Sequence, residues 1–531
     1  MIKILSAVFL ILMITSVCVA QTDLGKVNFP VTGKDEAKPS FVKGTLLLHS
    51  FEYADALEAF EEAIRIDPDF VMAYWGAAMT HTHPIWMEQD LEAARAILNR
   101  LAPTPQERQM KAATERERAW LGTVEVLYGE GTKEERDFKY EKAMENLSQK
   151  HPEDLEAAAF HALSVLGTAH QGRDFRIYMR AAGILEQIYE KAPDHPGVLH
   201  YMIHCYDDPV HATIGLRPAR KYARVAAAAA HAQHMPSHIF LALGMWDDVV
   251  ASNVVSWRVA DERVQRKKLD LSERGYHYLF WLEYGYLQQG RYEDARKTVA
   301  IMEADAKKSP TTRILSHLVR MRSAYVIETG KWDDEVSAIQ VDLSKLRSGT
   351  ASAHLFTNGY AAVKRKDLAT ARKNLADLQE EIKKADSAAT ESHHGGMAPA
   401  PNMERKTLEI MRDELSASIL FAEGKQQEAI TLLKAAANVE SGLTFEFGPP
   451  EIAKPTHELL GEMLLELKQP QEAQTYFETA LTRAPRRVLS LQGLVQSASE
   501  SGNKAVAAKA QSELKEILKN ADEQVRKLAG V

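Results

Sequence analysis

The segment LLGEMLLELKQPQEAQTYFETALTRAP, residues 459–485, decides the fold. Ala473, Phe477, Ala480 and Pro485 follow one another in it at spacings of four, three and five. Spacings of four and three place side chains on one face of a helix. The proline then ends the helix, because its ring clashes with the preceding turn. The segment therefore predicts a helix with one apolar face, preceded by another helix.

The same spacing occurs in two other segments, one near the N-terminus and one with aliphatic residues in place of the aromatic ring: Ala56, Phe60, Ala63 and Pro68, and then Ala181, Leu185, Ile188 and Pro193. This pattern resembles the tetratricopeptide repeat (TPR), a helix–turn–helix unit of about 34 residues. The resemblance covers most of the chain from about Phe41 onward. It implies an all-α, TPR-like α-solenoid, in which first helices line a concave groove that takes the ligand.

The N-terminus has the architecture of a signal peptide. Lys3 precedes an apolar run, Ile4–Val17, and small residues surround a cleavage point after Ala20. A lipoprotein anchored through Cys18 is the less favoured reading, because Val17 stands where a small residue is expected. No later apolar run reaches the length of a membrane helix. We therefore expect an exported chain, periplasmic or secreted, with no transmembrane span after cleavage.

Composition narrows the class of protein. The chain has 531 residues, too many for one compact core, and 26% are charged against 45% hydrophobic, as in globular proteins. A net charge of -8 does not indicate a nucleic-acid partner. The predicted organisation has five parts: a signal peptide (1–20), an extended leader (21–40), TPR-like repeats with a His-rich centre (41–391), a Gly- and Pro-rich loop insertion (392–402) and C-terminal TPR repeats (403–531).

Histidines concentrate in two blocks, HPGVLHYMIHCYDDPVHA (195–212) and HAQHMPSHIFLALGMW (231–246). The repeat phase places two histidines, four residues apart, on the inner face of each of two successive first helices. Imidazole and carboxylate groups are common ligands of transition metals. The predicted ligands of a Zn, Cu, Fe or Mn ion are therefore His200, His204, Asp207, Asp208, His234 and His238. A structural role remains open for each histidine, and the Asp-Asp-Pro stretch is also typical of a turn.

Further side chains take groove-facing places by the same phase, and are expected to bind a peptide, a protein or a small molecule: Trp75, His83, His277, His317, Tyr284 and Tyr360. Ordinary packing between helices is the alternative for each of them. The two blocks also resemble a group of long exported bacterial TPR proteins with HYMIHCYDDP-like and HMPSHIF-like segments. That resemblance assigns no reaction.

Three functions stay open from the sequence. The first is a groove that binds a ligand or partner and carries a His/Asp metal site. The second is a metal-dependent enzyme, an oxidase or a hydrolase, on the same scaffold. The third is an interaction scaffold without metal. The sequence has no P-loop, GxSxG, HExxH or CxxC motif, so no motif decides whether the protein is an enzyme.

Overall fold

The computed structural model describes residues 24–391, 401–445 and 447–530. The predicted signal peptide and most of the predicted loop insertion, including His393 and His394, lie outside these ranges. Within them the chain is a succession of α-helices with one hairpin of two short antiparallel strands, β1 (Thr82–His83) and β2 (Glu88–Gln89). The prediction of an all-α solenoid of helix pairs is confirmed.

The helices follow one another in chain order. The N-terminal ones are α1 (Lys38–His49), α2 (Tyr53–Ile66), α3 (Val71–Met79), α4 (Leu91–Leu101), α5 (Pro105–Lys111), α6 (Glu115–Leu127), α7 (Lys133–Lys150), α8 (Leu155–Leu166) and α9 (Phe175–Lys191). The central ones are α10 (Pro196–Tyr206), α11 (Ala212–Val225), α12 (Ala230–His234), α13 (Pro236–Ala242), α14 (Trp246–Lys267), α15 (Tyr276–Gln288), α16 (Tyr292–Lys308) and α17 (Thr312–Thr329). The C-terminal ones are α18 (Ser348–Lys364), α19 (Leu368–Glu391), α20 (Pro401–Ala422), α21 (Gln426–Ser441), α22 (Thr456–Glu466), α23 (Pro470–Arg483), α24 (Val488–Glu500), α25 (Lys504–Ile517) and α26 (Glu523–Ala529). Short 3-10 turns occupy Pro84–Trp86, Leu271–Glu273, Leu343–Lys345 and Leu518–Asn520.

Two predicted boundaries lie slightly too far along the chain. The leader was expected to end at residue 40, but α1 already begins at Lys38. The loop insertion was expected to end at residue 402, but α20 begins at Pro401. A proline in the first turn explains both differences, because the N–H that it lacks has no partner within the helix at that position. Pro39 and Pro401 therefore start helices here instead of preceding them.

The spacing of four and three residues read from the sequence places a ring between neighbouring helices. Phe477 of α23 is fully buried between Gly461 of α22 and Gly493 of α24. A Cβ atom added to these glycines would lie 2.8 and 2.2 Å from atoms of the ring. Phe60 has the same place between glycines of α1 and α3. The aromatic ring thus joins each second helix to the helices before and after it.

Both ends of the chain fold back onto the central helices. Near the N-terminus, Asp55 of α2 accepts hydrogen bonds of 3.0 Å from Arg263 of α14. Near the C-terminus, Arg487 donates to the hydroxyl of Tyr284 on α15 at 2.8 Å. The indole N–H of Trp246 donates to the carbonyl of the preceding residue, Arg486, at 3.1 Å. These contacts enclose the central helices, so their inner faces do not line the open concave groove that the resemblance implied. No helix among the described residues is long and apolar enough to cross a membrane.

The substitution Gly493→Ala is expected to lower the thermal midpoint of unfolding. The added methyl group would overlap the Phe477 ring, and overpacking of this kind costs about 1–3 kcal/mol. Gly183→Ala is the matched control, since no described atom lies within 4 Å of a Cβ added there in the middle of α9. Alanine at that site should stabilise the helix by up to about 1 kcal/mol. Circular dichroism melting curves compare the two, and equal midpoints would contradict the packing role.

Candidate metal centre

Four helices bring six histidines together. His200 and His204 lie one turn apart on α10 and therefore share a face. His234 ends α12, and Pro236 starts α13, which carries His238. The residue between them has a right-handed helical backbone, so the chain continues in the same direction and both rings reach the same space. His231 on α12 and His277 on α15 complete the group.

The first trio consists of His234, His238 and His277, whose rings meet at their Nε2 atoms. The Nε2 atom of His234 lies 3.0 Å from that of His238 and 3.0 Å from that of His277. At His234, Nδ1 donates to the side-chain oxygen of Asn253 at 2.7 Å, and at His238, Nδ1 donates to Asp207 at 3.0 Å. Because these oxygens accept, the neutral rings carry their proton on Nδ1. Two Nε2 lone pairs then face each other across 3.0 Å, which is repulsive unless a cation lies between them.

The orientation of Asn253 supports this assignment of protons. Its amide nitrogen donates to the carbonyl of Val249 at 2.8 Å, which leaves the amide oxygen facing His234. Hydrogen-bonding networks of this kind decide the tautomer of a histidine. The ring of Trp281 stacks on His238, with ring centres 4.5 Å apart. The first trio is therefore held by polar partners on its outer side and by an aromatic ring on its face.

The second trio consists of His200, His204 and His231. One ring nitrogen from each lies within 4.8 Å of the others. The Nδ1 atom of His200 donates to the carbonyl of His49 at 2.7 Å, and that of His204 donates to Asp207 at 3.2 Å. The Nε2 atoms of all three rings are buried and make no hydrogen bond with any described residue. The three rings thus form a compact group, in which the Nε2 atoms of His200 and His204 carry lone pairs.

Burial keeps these imidazoles neutral. Desolvation lowers the pKa of His234 from 6.5 to about 4. It also lowers, well below 6.5, the pKa of the other five rings, and the neighbouring histidines add to the effect: His200, His204, His231, His238 and His277. At neutral pH each of these rings is therefore a neutral imidazole, which is the form that binds metal ions.

Both aspartates predicted as ligands lie beside the cluster, and an oxygen of Asp207 lies within 4.8 Å of ring nitrogens of His204 and His238. Arg173 is buried and pairs with both Asp207 and Asp208. One oxygen of Asp207 accepts hydrogen bonds from both His204 and His238. Asp208 accepts from Arg173 at 3.1 Å and from the backbone N–H of the two residues that begin the next turn. We therefore interpret Asp207 as the acceptor that orients two imidazoles, and Asp208 as the cap of a turn.

A third group of possible ligands consists of His49, Glu156 and His195. Its members are hydrogen-bonded to one another. The two oxygens of Glu156 accept from the Nε2 atoms of His49 and His195 at 2.8 and 3.0 Å. Although burial opposes it, the attraction of the two rings lowers the pKa of the Glu156 carboxyl. The hydroxyl of Tyr201 bonds the remaining nitrogen of His49 at 2.8 Å. This group fixes His49, whose carbonyl in turn accepts from His200.

A pocket opens beside the first trio. Asp207 and His238 form part of its wall, and the ring of Phe447 lies nearly parallel to that of His238 at 5.8 Å. Trp246 and Tyr284 line it as well, together with residues of the segment between α21 and α22. A ligand in this pocket would lie against the edge of the cluster.

Two of the six residues predicted to line the groove reach this site. His277 belongs to the first trio, and Tyr284 lines the pocket with its hydroxyl bonded to Arg487. The repeat phase was therefore right about the direction of both side chains. It did not show that they approach His234 and His238.

The other four do not reach it. Trp75 is fully buried, with its ring centre 5.0 Å from that of Trp120. Tyr360 is buried against its neighbours within the C-terminal half. His83 bonds Glu88 at 3.1 Å, and His317 donates to the carbonyl four residues before it at 2.8 Å. Packing uses Trp75 and Tyr360, which corrects their assignment to a binding groove, whereas the assignment of the partly exposed His83 and His317 stays a prediction.

Sequence reasoning missed three participants. Arg173 and Asn253 stand outside both His-rich blocks, and nothing local marks a side chain that is buried by another repeat. His231 lies three residues before His234, so the helical spacing alone was a usable signal.

The model of the family described as Tetratricopeptide repeat matches residues 37–70 and 455–487. These two stretches are similar to tetratricopeptide repeats. The matched stretches contain the Phe60 and Phe477 packing units. The His-rich centre lies between them, and its likeness to a group of exported bacterial TPR proteins stays a prediction.

Comparison with curated proteins finds no match. Solved structures with similar tetratricopeptide-like arrays include the human IFIT1 dimer with m7Gppp-AAAA, at 12% identity over 93% of this chain and 92% of that chain, with a TM-score of 0.35. Yeast Tom70 shares 13% identity over 90% and 99%, with a TM-score of 0.30. The Cut9–Hcn1 hetero-tetramer of APC/C shares 12% identity over 89% and 78%, with a TM-score of 0.31. Likenesses this distant carry no argument about what the chain binds.

The substitution Arg173→Met is expected to lower the thermal midpoint strongly, because it leaves the carboxylates of Asp207 and Asp208 buried without a counter-charge. Breaking a buried ion pair in this way costs about 3–5 kcal/mol. Arg258→Met is the control, since that guanidinium is 60% exposed and pairs with Glu262, which is 54% exposed. Its loss should cost at most about 1 kcal/mol. Similar melting curves for the two variants would show that Arg173 does not hold the cluster in place.

Proposed function

We propose that the protein binds a copper or zinc ion through the Nε2 atoms of His234, His238 and His277. We further propose that this ion makes the neighbouring pocket a ligand-binding or reactive site. The observation that carries the proposal is the 3.0 Å approach between the Nε2 atoms of His234 and His238, whose lone pairs face each other, with the Nε2 atom of His277 3.0 Å from that of His234. A shared metal ion converts that repulsion into coordination.

The distances suit coordination. Metal–nitrogen bonds to Zn are about 2.0–2.1 Å, so two nitrogens on the same ion lie roughly 3 Å apart. The hydrogen bonds on the outer side of the trio also suit metal coordination. Ligating histidines commonly donate their other N–H to a carboxylate or an amide, which fixes the ring and raises its basicity. Asp207 and Asn253 supply these acceptors for His238 and His234.

The donor set selects among metals. Three neutral imidazoles with neither carboxylate nor thiolate suit copper and zinc, whereas manganese favours oxygen ligands. Copper(II) has the highest affinity of the divalent ions for such nitrogen donors. The nearby charges also favour a bound cation, because Asp207, Asp208 and Arg173 together supply one net negative charge beside the trio. Zinc, copper, iron and manganese were all open from the sequence, and the geometry favours the first two.

Three protein ligands leave a coordination position open. Metal ions in open sites of this kind activate water or polarise a bound ligand. His238 faces the pocket, so a ligand that enters there could reach the ion. This supports the metal-dependent functions over an interaction scaffold without metal. The signal-peptide pattern supports the further proposal that the chain acts outside the cytoplasm, in the periplasm or after secretion.

The first test measures bound metal in untagged full-length protein. After incubation with copper(II) or zinc and removal of excess by gel filtration, the wild-type protein should retain metal. The His234→Ala/His238→Ala double variant should lose most of the metal that the first trio binds. His151→Ala is the control, because that half-buried histidine ends α7 and lies outside the cluster. Folded wild-type protein that retains no metal would overturn the proposal.

A second test concerns the residue that orients the ligands. In Asp207→Asn the charge is lost, and one amide oxygen must serve both His204 and His238. Losing such an outer hydrogen bond typically weakens metal binding about 10–100-fold. Asp247→Asn is the control, since Asp247 is half exposed and pairs with Lys519 at the surface. Competition with a chromophoric chelator measures both affinities. Equal affinities in the two variants would remove Asp207 from the site.

A further inference from the structure

We infer that His200, His204 and His231 hold a second metal ion beside the first, so that the six imidazoles form a two-ion centre. This inference rests on the proposed function of the first trio. It adds a separate ligand set and makes a statement about stoichiometry and about the distance between the ions.

The unused nitrogens of the second trio are the first argument. Buried polar atoms in folded proteins are nearly always hydrogen-bonded, and an unpaired one is costly. Here the Nε2 atoms of His200, His204 and His231 all lack a partner among the described residues. Two of the rings are held from the opposite side, by the carbonyl of His49 and by Asp207. The free nitrogens are thus aimed at a common point, as the ligands of one ion are.

The surroundings of the second trio are aromatic on the sides formed by Phe51 and Tyr222. The ring of Phe51 covers it, with ring centres 4.3 Å from His200, 5.9 Å from His204 and 5.7 Å from His231. Tyr222 stacks on the other face of the site, 5.2 Å from His200. A water molecule needs two to four polar partners that include hydrogen-bond acceptors and donors. The Nε2 atoms of His200 and His204 offer lone pairs, because their Nδ1 atoms donate elsewhere, and a cation satisfies lone pairs better.

The two trios are neighbours. The ring of His204 lies 5.5 Å from that of His238, and the ring of His231 lies 5.9 Å from that of His234. The same oxygen of Asp207 accepts from one histidine of each trio. A single carboxylate therefore orients ligands of both ions. Two ions held in this way would lie side by side, each bound by its own trio, at a separation short enough for their spins to couple.

The test titrates untagged full-length protein with copper(II) and follows binding by native mass spectrometry and electron paramagnetic resonance. The expected result is two ions per chain, with a spectrum altered by magnetic coupling between the two spins. His231→Asn removes one ligand of the second trio and should reduce the stoichiometry to one ion with an uncoupled spectrum. His151→Asn is the control and should keep two coupled ions.

The outcomes separate the two proposals. One ion per chain, unaffected by His231→Asn, or two ions without coupling, would overturn the two-ion centre and leave the first trio as the metal site. No bound ion would overturn both. If His231→Asn fails to fold, as judged by circular dichroism, the stoichiometry and coupling of the wild-type protein still decide the question.

Discussion

The guanidinium of Arg487 is fully buried, and it joins the C-terminal repeats to the centre of the molecule. It pairs with Glu458 on α22 at 2.8 Å and with Glu328 on α17 at 2.5 Å, and it donates to Tyr284 on α15. A buried charge is tolerated only when its partners are in place, so this contact requires the two regions to meet in one geometry. Asp55 and Arg263 make the corresponding contact from the N-terminal side. These two contacts, one from each end of the chain, enclose the central helices.

Enclosure also explains the chemistry of the histidines. In an open solenoid the inner face would be wet, and each imidazole could exchange its partner for water. In the closed one, desolvation holds the rings neutral, so their nitrogens keep lone pairs at neutral pH. Arg173 offsets the charge of Asp207 and Asp208, which lets a carboxylate stay ionised in the same surroundings. The cluster is therefore a product of burial as much as of the residues that compose it.

Helix spacing accounts for what could be predicted of the site. His200 with His204, and His234 with His238, are pairs four residues apart, and such pairs share a helix face whatever surrounds them. The repeat phase also turned His277 inward correctly. It failed at Trp75 and Tyr360, because an inward direction in a solenoid leads either to a cavity or to a packed neighbour. Arg173, Asn253 and the carbonyl of His49 had no signal, since each meets the histidines only through contacts between different helices.

The sequence by itself determined the helix pairs, through the four- and three-residue spacings that end at Pro68 and Pro485, and it determined which short segments carry the histidines. These are local properties, because a helix is made of contacts three and four residues apart. Only the tertiary structure decided that six histidines form two trios, that Asp207 accepts a hydrogen bond from one histidine of each trio, and that the first trio faces a pocket. Those relations join α10, α12, α13 and α15 and depend on the closure of the chain ends, which involves residues more than 200 positions apart.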